Sequence, residues 1–329
     1  MPIEVRRRCT APGKIGGVLE MAILRTFLLC STIVMTPGIV RACACGCGIF
    51  GVGSTFMLPE EDTTCMVYFE YNYMDQNQNW SGTMAAPAAN NGDKEIRTEF
   101  YNIGFQYMIN QDWGLMVNIP YWDRNFMTAP NFPGPGPVDD FDHGALGDIK
   151  LMGFYTGLSS DRSTGIVFGI KLPTGDHTYA NFDADTEIGT GSTDVILGAY
   201  HVGTFAQNDQ WKWFAEGTWE CPFATTQGYR PGQEIDAAAG VFYNTGRVGQ
   251  VKNISPALQV LFSDRDADEG INADPLDSGY IRFLLSPGLE VDFDHIKLYA
   301  DTEFPVFQYF NGNQLVAPVL VKLLMAYSY

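Results

Sequence analysis

Three features of the sequence predict an all-β chain that forms a transmembrane, antiparallel, up-and-down β-barrel of about 12 strands. Short segments in which apolar and polar residues alternate with a period of two follow one another along the chain. Such alternation turns an apolar face toward lipid and a polar face toward water when the strands close into a sheet. Long and short connections alternate between these segments, which is typical of extracellular loops and periplasmic turns. The mean hydropathy of −0.07 fits strands of this kind.

The first 44 residues have the layout of an N-terminal extension followed by a secretory signal peptide. An apolar, nearly uncharged run at residues 26–40 follows Arg25 and precedes the small residues of the segment 42–44. This order is typical of a processed signal, and an uncleaved anchor is the alternative. We therefore predict three regions: the extension and signal at residues 1–44, a Cys- and Gly-rich periplasmic start at 45–64, and the barrel at 65–329.

The charge of the chain argues against nucleic acid as a partner. The sequence has 20 basic and 38 acidic residues; cleavage after residue 44 removes six basic and two acidic ones, which leaves 14 and 36 and a net charge of −22. Phosphate binding requires a basic surface. The acidic chain is compatible with divalent cations, or with a surface that faces the outside of a cell.

The first six predicted strands are recognised by apolar residues spaced two apart. They lie at residues 65–75, 98–109, 113–122, 145–157, 164–173 and 192–204. The apolar faces of the first five run from Val67 to Tyr73, Tyr101 to Tyr107, Leu115 to Tyr121, Ile149 to Tyr155 and Ile166 to Leu172. The sixth continues the alternation in the segment TDVILGAYHVG.

The last six predicted strands follow the same rule and lie at residues 211–221, 234–243, 251–263, 279–291, 296–310 and 315–329. Trp211, Trp213 and Trp219 mark the apolar face of the first of these. The final strand keeps one apolar parity from Val319 to Tyr329. A terminal strand that ends in an aromatic residue resembles the assembly signal of bacterial outer-membrane barrels.

The connections predict the topology. Long ones lie near residues 76–96, 123–143, 174–191, 222–233 and 264–278, with a brief one at 311–314; short ones lie near 110–112, 158–163, 205–210, 244–250 and 292–295. Their strict alternation favours a barrel over a soluble β-sandwich, which also alternates along its strands but has no need for this order of loops. The even strand count places both termini on the periplasmic side.

Charged residues of inward parity are the candidate lumen lining. They are eight acidic and six basic residues: Glu70, Asp148, Lys150, Lys171, Asp194, Lys212, Glu216, Glu220, Arg282, Glu290, Lys297, Asp301, Glu303 and Lys322. Such residues line a wetted pore, or they pair across a filled barrel as structural salt bridges. The near balance of the two signs does not predict strong cation selectivity.

The connection after the ninth strand is strongly acidic. It carries Asp264, Asp266, Asp268, Glu269, Asp274 and Asp277. Glu269 stands where a calcium-binding EF-hand loop needs Gly, and no Glu completes the spacing. We expect a solvated loop, with a divalent cation that bridges it to lipopolysaccharide as the alternative. No other cofactor is expected.

Closely spaced cysteines follow the predicted signal. Cys43, Cys45 and Cys47 alternate with small residues, and thiolates at such spacing suit soft metals such as Cu(I) or Zn. Cys45 and Cys47 are therefore candidate metal ligands. Lipidation, a periplasmic disulfide and a remnant of the processing site are the alternatives.

The histidines do not predict an enzyme. Barrel phospholipases use a serine activated by a histidine on the outer barrel face. The four histidines, at positions 143, 177, 201 and 295, include none that lies two residues from a serine along a predicted strand. We expect no catalytic residues.

Three motifs between Gly144 and Gly203 carry a resemblance to a known family. The segments GDIKLMGFYTGL, GIVFGIKLPTGD and GTGSTDVILGAY resemble the outer-membrane proteins grouped as the MetA-pathway-of-phenol-degradation transporter family. The matching core covers about 60 residues, and compatible alternation continues to Tyr329. The resemblance implies a transporter or channel of the outer membrane.

The sequence thus predicts an outer-membrane channel or transporter of a Gram-negative bacterium for the passive passage of small molecules, including hydrophobic or aromatic ones. Outer-membrane lipid, lipopolysaccharide and a small-molecule solute are the expected partners. The alternative is a structural or partner-binding barrel, with metal handling at its Cys-rich start.

Overall fold

Alternating segments form strands at nearly all the predicted positions. The computed structural model describes residues 64–205 and 208–329. Its strands are β1 Cys65–Gln76, β2 Gln78–Gly82, β3 Met84–Ala85, β4 Asp93–Met108, β5 Trp113–Thr128, β6 Asp139–Leu146, β7 Lys150–Tyr155, β8 Thr164–Lys171, β9 Ser192–Phe205, β10 Asn208–Thr225, β11 Tyr229–Arg230, β12 Glu234–Tyr243, β13 Asn253–Arg265, β14 Glu269–Gly270, β15 Tyr280–Asp292, β16 Ile296–Val316 and β17 Leu320–Ser328. One short 3-10 helix, Ala88–Asn90, lies between β3 and β4.

Neighbouring strands pair antiparallel, and the first strand pairs with the last. Within the described ranges, 12 wall strands close the barrel if β6 and β7, which both pair with β5, are counted as one interrupted strand. At the seam, Asn72 of β1 lies opposite Lys322 of β17. The Cys65 and Tyr329 backbones exchange two hydrogen bonds of 3.0 Å there. The predicted fold class is confirmed.

The two faces of the sheet are the reverse of those of a water-soluble domain. Outward-facing Leu115 and Met325 are 51% and 52% exposed, whereas inward-facing Glu70 and Lys322 are 3% and 0% exposed. Water-soluble proteins bury large apolar side chains and almost never bury Lys or Glu completely unless they are paired. An apolar outer band around a polar interior is the arrangement of a barrel in lipid.

Aromatic residues border the apolar band at both edges. Tyr71, Tyr101 and Tyr121 form a row of rings across β1, β4 and β5 with centroid separations of 5.3 and 6.3 Å. At the opposite edge, Trp113 lies 4.7 Å from Tyr155. Trp113 and Tyr121 are eight positions apart on β5, which corresponds to about 27 Å along a strand. With the usual tilt this spacing gives roughly 20 Å across the membrane, close to the height of an apolar band.

Strand pairing continues into several predicted connections, including 76–96, 123–143, 222–233 and 311–314. The predicted loop 123–143 is wrong at both ends, since β5 reaches Thr128 and pairs with β6 from Asp139. The predicted connection 311–314 is likewise part of β16, which reaches Val316. Polar residues such as Asp140 and Asp142 lie on strands here because these strand ends extend beyond the apolar band, where water solvates their side chains.

The predicted strand 145–157 is interrupted at residues 147–149, between β6 and β7. Pro120 on β5 accepts a hydrogen bond from the Gly147 N–H at 2.9 Å but has no N–H to donate in return. The register between the strands shifts at this point, from Tyr121 opposite Leu146 to Asn118 opposite Lys150. The missing donor thus coincides with the break.

The loop that connects β8 to β9, residues 172–191, folds against the inner wall next to this break. Tyr179 of the loop stacks on the ring of His143 at 4.0 Å, and Phe182 meets Phe126 edge-on at 5.7 Å. Phe126 and Phe182 are buried there together with Ile96. No helix among residues 64–205 and 208–329 is long and apolar enough to span a membrane.

Candidate functional site

Inward-facing side chains enclose a cavity of about 330 Å³. The wall strands β1, β4, β5, β7 to β10 and β12 line it, with Arg265 of β13. Residues 184–190 of the long loop and residues 229–232 contribute on the side of the long connections. The size lies at the small end of the range for small-molecule sites.

The cavity lining has an excess of negative charge. It includes four basic side chains, Arg124, Lys150, Lys171 and Arg265. Against these stand nine carboxylates: Glu70, Asp148, Asp185, Glu187, Asp194, Glu216, Glu220, Glu234 and Asp236. The lining therefore carries an excess of five acids, unlike the near balance that the sequence predicted for the whole lumen.

Half of the predicted lumen residues border this cavity. They are Glu70, Asp148, Lys150, Lys171, Asp194, Glu216 and Glu220. The other seven lie on the remaining inner wall, away from the cavity lining: Lys212, Arg282, Glu290, Lys297, Asp301, Glu303 and Lys322. Four of the six predicted basic residues and three of the eight predicted acidic residues are in this second group, so the predicted residues that border the cavity are five acidic and two basic.

Two lysines and two carboxylates form an ion-pair network in the middle of the wall. Lys171 Nζ lies 2.5 Å from Asp194 Oδ2 and 2.7 Å from Glu220 Oε1. Lys150 Nζ lies 2.8 Å from Glu220 Oε2. Lys150 and Lys171 are directly opposite each other on β7 and β8, so Glu220 bridges two like charges that would otherwise repel.

Asp148 holds the beginning and the end of the long loop together. Its Oδ1 accepts a hydrogen bond from the Gly175 N–H at 2.9 Å, and its Oδ2 accepts from the Thr190 N–H at 2.8 Å and the Thr190 hydroxyl at 2.7 Å. The Asp148 carboxylate was expected to face the lumen beside Lys150. The structure shows that it is only 6% exposed and bound to loop donors.

Gly175 and Gly189 allow this closure because their backbones touch. A Cβ atom on Gly175 would lie 2.7 Å from the Gly189 Cα, closer than such atoms approach in proteins. The Gly189 N–H also donates to the Asp176 carbonyl at 2.6 Å. The three motifs that carry the family resemblance therefore meet at one point, which anchors the loop 172–191.

Arg124 binds the same loop from β5. Its guanidinium donates to the Thr186 carbonyl at 2.5 Å, to the Glu187 carbonyl at 3.3 Å and to the Thr98 hydroxyl at 2.9 Å. Arg124 is 1% exposed. A charged side chain buried in this way keeps the loop at the cavity wall, since its donors have no alternative solvent partner.

The pKa values of two acidic groups in the loop are shifted in opposite directions. Burial, reinforced by the charge of Asp176, raises the pKa of Glu187 to about 8. The pKa of Asp176 lies below its ordinary value, because hydrogen bonds from Thr178 and His143 outweigh the effect of its burial. Glu187 is therefore mostly protonated at neutral pH and contributes little negative charge to the cavity.

The inner wall opposite the cavity is packed. Leu261, Leu284 and Leu320 are at most 1% exposed and belong to one apolar cluster. Close to them, the Tyr299 hydroxyl donates to Asp301 Oδ2 at 2.7 Å. Lys322 lies within electrostatic range of Glu70, Asp301, Glu303 and Glu216. The lumen thus combines a filled side and a side with a cavity, where the sequence left both possibilities open.

Inward aromatic rings lie flat over inward glycines of neighbouring strands. Tyr68 is opposite Gly104, Phe154 is opposite Gly114, and Tyr200 is opposite Gly165. A Cβ atom at any of these glycines would overlap the ring. The rings therefore use space at the wall instead of projecting across the lumen, and all three border the cavity.

Sequence reasoning missed six charged residues of the lining. Glu234 and Asp236 have the inward parity of a strand that was correctly located, so the pattern could have identified them. Arg265 lies two residues beyond a predicted strand end. Arg124, Asp185 and Glu187 lie in segments that were predicted as loops. Arg124 has the inward parity of β5, which extends beyond its predicted end, whereas the inward folding of the loop 172–191 brings Asp185 and Glu187 to the lumen.

Several predicted sites lie elsewhere. Cys45 and Cys47 lie outside the described residues. In the acidic connection, Asp268 accepts from the Tyr229 hydroxyl at 3.0 Å and pairs with Arg265 at 2.7 Å, and Asp277 accepts from the Asn313 N–H at 2.6 Å. Among residues 64–205 and 208–329, no three His, Cys, Asp or Glu side chains are grouped as metal ligands.

No protein-family profile and no curated protein sequence matches the chain. Among solved structures, the chain is similar to the COG4313 outer membrane channel from Pseudomonas putida F1, with a TM-score of 0.62 and 12% identity over 84% of this chain and 99% of that one. The beta domain of the Bordetella autotransporter Brka has a TM-score of 0.49 and 11% identity over 82% and 100% of the two chains. The CymD monoaromatic hydrocarbon channel has a TM-score of 0.43 and 10% identity over 89% and 98%. The first similarity shows that this chain has the fold of an outer-membrane β-barrel.

Proposed function

We propose that the protein is a channel of the Gram-negative outer membrane for the passive passage of small hydrophobic or aromatic molecules. The observation that carries this proposal is the cavity of about 330 Å³ within a closed barrel whose outer face is apolar. A space of this size, with apolar walls and a few polar groups, suits a small organic molecule.

The composition of the cavity wall supports an apolar or aromatic solute. Phe100, Met116, Trp122, Met152 and Phe154 border the cavity together with the charged groups. Aromatic and thioether side chains give large, adaptable contact areas to flat organic molecules. The rings that lie over glycines keep this surface on the wall and leave room for a solute.

The comparison with solved structures agrees with this proposal. The structure with the TM-score of 0.62 is described as an outer membrane channel. The motifs KLPTGD and GTGSTD, which meet at Asp148, support the narrower proposal that the chain is related to the MetA-pathway-of-phenol-degradation transporters. Neither the similar channel structure nor the motifs point to catalysis, and we propose a function without an enzymatic step.

The apolar outer band and its aromatic borders support an outer-membrane location with lipid as the partner. Asp140 and Asp142, acidic residues of β6 on the long-connection side, support a further partner at that surface. We propose lipopolysaccharide as the partner of that surface, with divalent cations between the two sets of negative charges.

Solute uptake into liposomes tests the proposed channel. Liposomes that contain the purified, folded protein are expected to swell in phenol or benzyl alcohol faster than protein-free liposomes. Thr218→Trp places an indole in the cavity, because Thr218 borders it, and should slow the swelling. Ala215→Trp, on the outward face of the same strand, is the matched control and should leave it unchanged. Uptake equal to that of protein-free liposomes would refute the proposal.

The packed side of the lumen favours one alternative, a structural or partner-binding barrel. Such a barrel would fold and insert normally but would not increase solute uptake. The role of Cys45 and Cys47 in metal handling stays a prediction. Equal metal content in the full chain and in a Cys45→Ser, Cys47→Ser variant would contradict it.

A further inference from the structure

The charges of the cavity indicate which solutes it accepts. The basic side chains of the lining are engaged by the protein itself. Lys150 and Lys171 pair with Glu220 and Asp194. Arg265 pairs with Asp268, which is not part of the lining, at 2.7 Å. Arg124 binds the loop carbonyls. With these basic groups counted, the lining keeps more acidic than basic side chains.

Two of the other carboxylates, Glu70 and Glu234, accept hydrogen bonds from neutral donors, which do not cancel their charge. Glu70 Oε1 accepts from the amides of Asn72 and Asn102 at 2.7 and 3.1 Å. Glu234 Oε1 accepts from the hydroxyls of Ser263 and Tyr280 at 2.9 and 2.8 Å. Of the nearby buried residues, Lys322 and Arg282 are basic and Asp301 and Glu303 are acidic, so the excess of acidic residues stays the same. Lys322 lies within electrostatic range of Glu70 and Glu216.

Aromatic rings lie beside these carboxylates. Tyr68, Phe154 and Tyr200 border the cavity, and each ring lies over the glycine opposite it. A cation over an aromatic face is attracted by the negative charge of the ring face. Carboxylate rings favour cations in channels, and low-dielectric walls strengthen their field. A carboxylate solute would meet repulsion from both sets of groups.

We propose that the cavity selects small organic cations with an aromatic or other apolar body over neutral and anionic solutes of the same size. This inference rests on the proposed channel function and adds the charge of the solute. Glu70 and Glu216 carry it, since they border the cavity on β1 and β10 and supply negative charge beside its apolar wall.

Three solutes of matched size test the selection: benzylammonium, benzyl alcohol and benzoate. The uptake into liposomes that contain the full-length protein, in excess of the uptake into protein-free liposomes, is expected to fall in that order. Isothermal titration calorimetry on the folded protein in detergent should show benzylammonium binding about tenfold more tightly than benzoate, as expected for one cation–π contact plus an ionic attraction. In a KCl gradient across a bilayer, the reversal potential should have the sign of a cation-selective pore.

A Glu70→Gln, Glu216→Gln variant identifies the source of the preference. Glutamine keeps the shape and an acceptor oxygen, and Lys322 retains Asp301 and Glu303 as neighbours, so we expect the barrel to fold. The preference for benzylammonium should fall toward unity in uptake and in binding. Asp112→Asn, in an exposed turn at the opposite end of the barrel, is the control and should keep the preference.

The outcomes separate this inference from the channel function. Uptake of all three solutes at similar rates, with no difference in binding, would overturn the cation selection and leave the channel intact. The absence of any uptake would overturn the channel; benzylammonium binding that depends on Glu70 and Glu216 would then still support the site. An unchanged preference in the double variant would also overturn the assignment.

Discussion

At the scale of single residues, the Glu220 carboxylate is the centre of the ion-pair network in the wall. It contacts both Lys150 and Lys171, and Lys171 also contacts Asp194. The Lys171 and Asp194 side chains are 8% and 1% exposed. Buried ion pairs of this kind are costly to break, because removal of one member leaves an uncompensated charge.

Lys171→Met should therefore destabilise the barrel strongly. The loss in free energy of unfolding is expected to be about 3–5 kcal/mol, because Asp194 and Glu220 lose a shared partner away from water. Urea unfolding in detergent micelles measures this loss. Lys252→Met is the control, since Lys252 is 45% exposed and 3.3 Å from Asp292, and should cost less than about 1 kcal/mol. Equal losses in the two variants would contradict the role of the network.

At the scale of elements, pairs of strands and one loop determine how much of the lumen is open. The pairs of inward rings and glycines shape the wall of β1, β4, β5 and β7 to β9, and the loop 172–191 covers the wall beside the break between β6 and β7. Both features depend on contacts between segments that are distant in sequence. The first feature leads to a prediction about the width of the cavity, and the second to a prediction about the anchoring of the loop.

Gly104→Ala should narrow the cavity. The added methyl group would overlap the Tyr68 ring, so the ring must rotate away from the wall toward the lumen. Uptake of benzyl alcohol into liposomes should fall, while the variant still folds. Gly217→Ala is the matched control, because its methyl group would meet the nearest atom at an ordinary 3.4 Å. Unchanged uptake in Gly104→Ala would show that Tyr68 does not limit passage.

The anchoring of the loop 172–191 should weaken as the pH rises. The pKa of Glu187 is raised from 4.5 to about 8 in the folded state, so folding favours its protonated form. Its contribution to stability is therefore fully present below pH 4.5 and is lost as the pH rises through about 8. The protection of loop amides against hydrogen exchange, relative to their intrinsic exchange rate at each pH, should fall over this window, and Glu187→Gln should remove that fall. Equal pH dependence in both proteins would contradict the prediction.

At the scale of the whole molecule, the sequence predicted the barrel well and the cavity only in part. Alternation located the wall strands, because lipid and water act on opposite faces of every strand. It did not reveal the break beside Pro120, since a missing backbone donor leaves the side-chain pattern unchanged. It assigned Arg124 to a loop, because β5 continues beyond its apolar face. It also left Glu187 out of the lining, because the inward folding of the loop depends on its contacts with Asp148 and His143.

The charge of the cavity lining was also predicted only in part from the sequence. Parity alone predicted eight acidic and six basic residues that face inward, and it could not tell which of them share one space. The structure separates Arg282, Lys297 and Lys322 from the cavity, whereas Glu187, Glu234 and Asp236 join its lining. The acidic character of the cavity therefore follows from the placement of these groups around the barrel, and composition does not predict it.

The central claim is that solutes pass through the cavity side of a lumen whose other side is packed. Single-channel recording in a planar bilayer tests it most directly. Purified, folded protein is expected to give discrete conductance steps, smaller in Thr218→Trp and unchanged in Ala215→Trp. A folded, inserted barrel that gives no step above the bare bilayer would contradict the claim and favour a structural or partner-binding role.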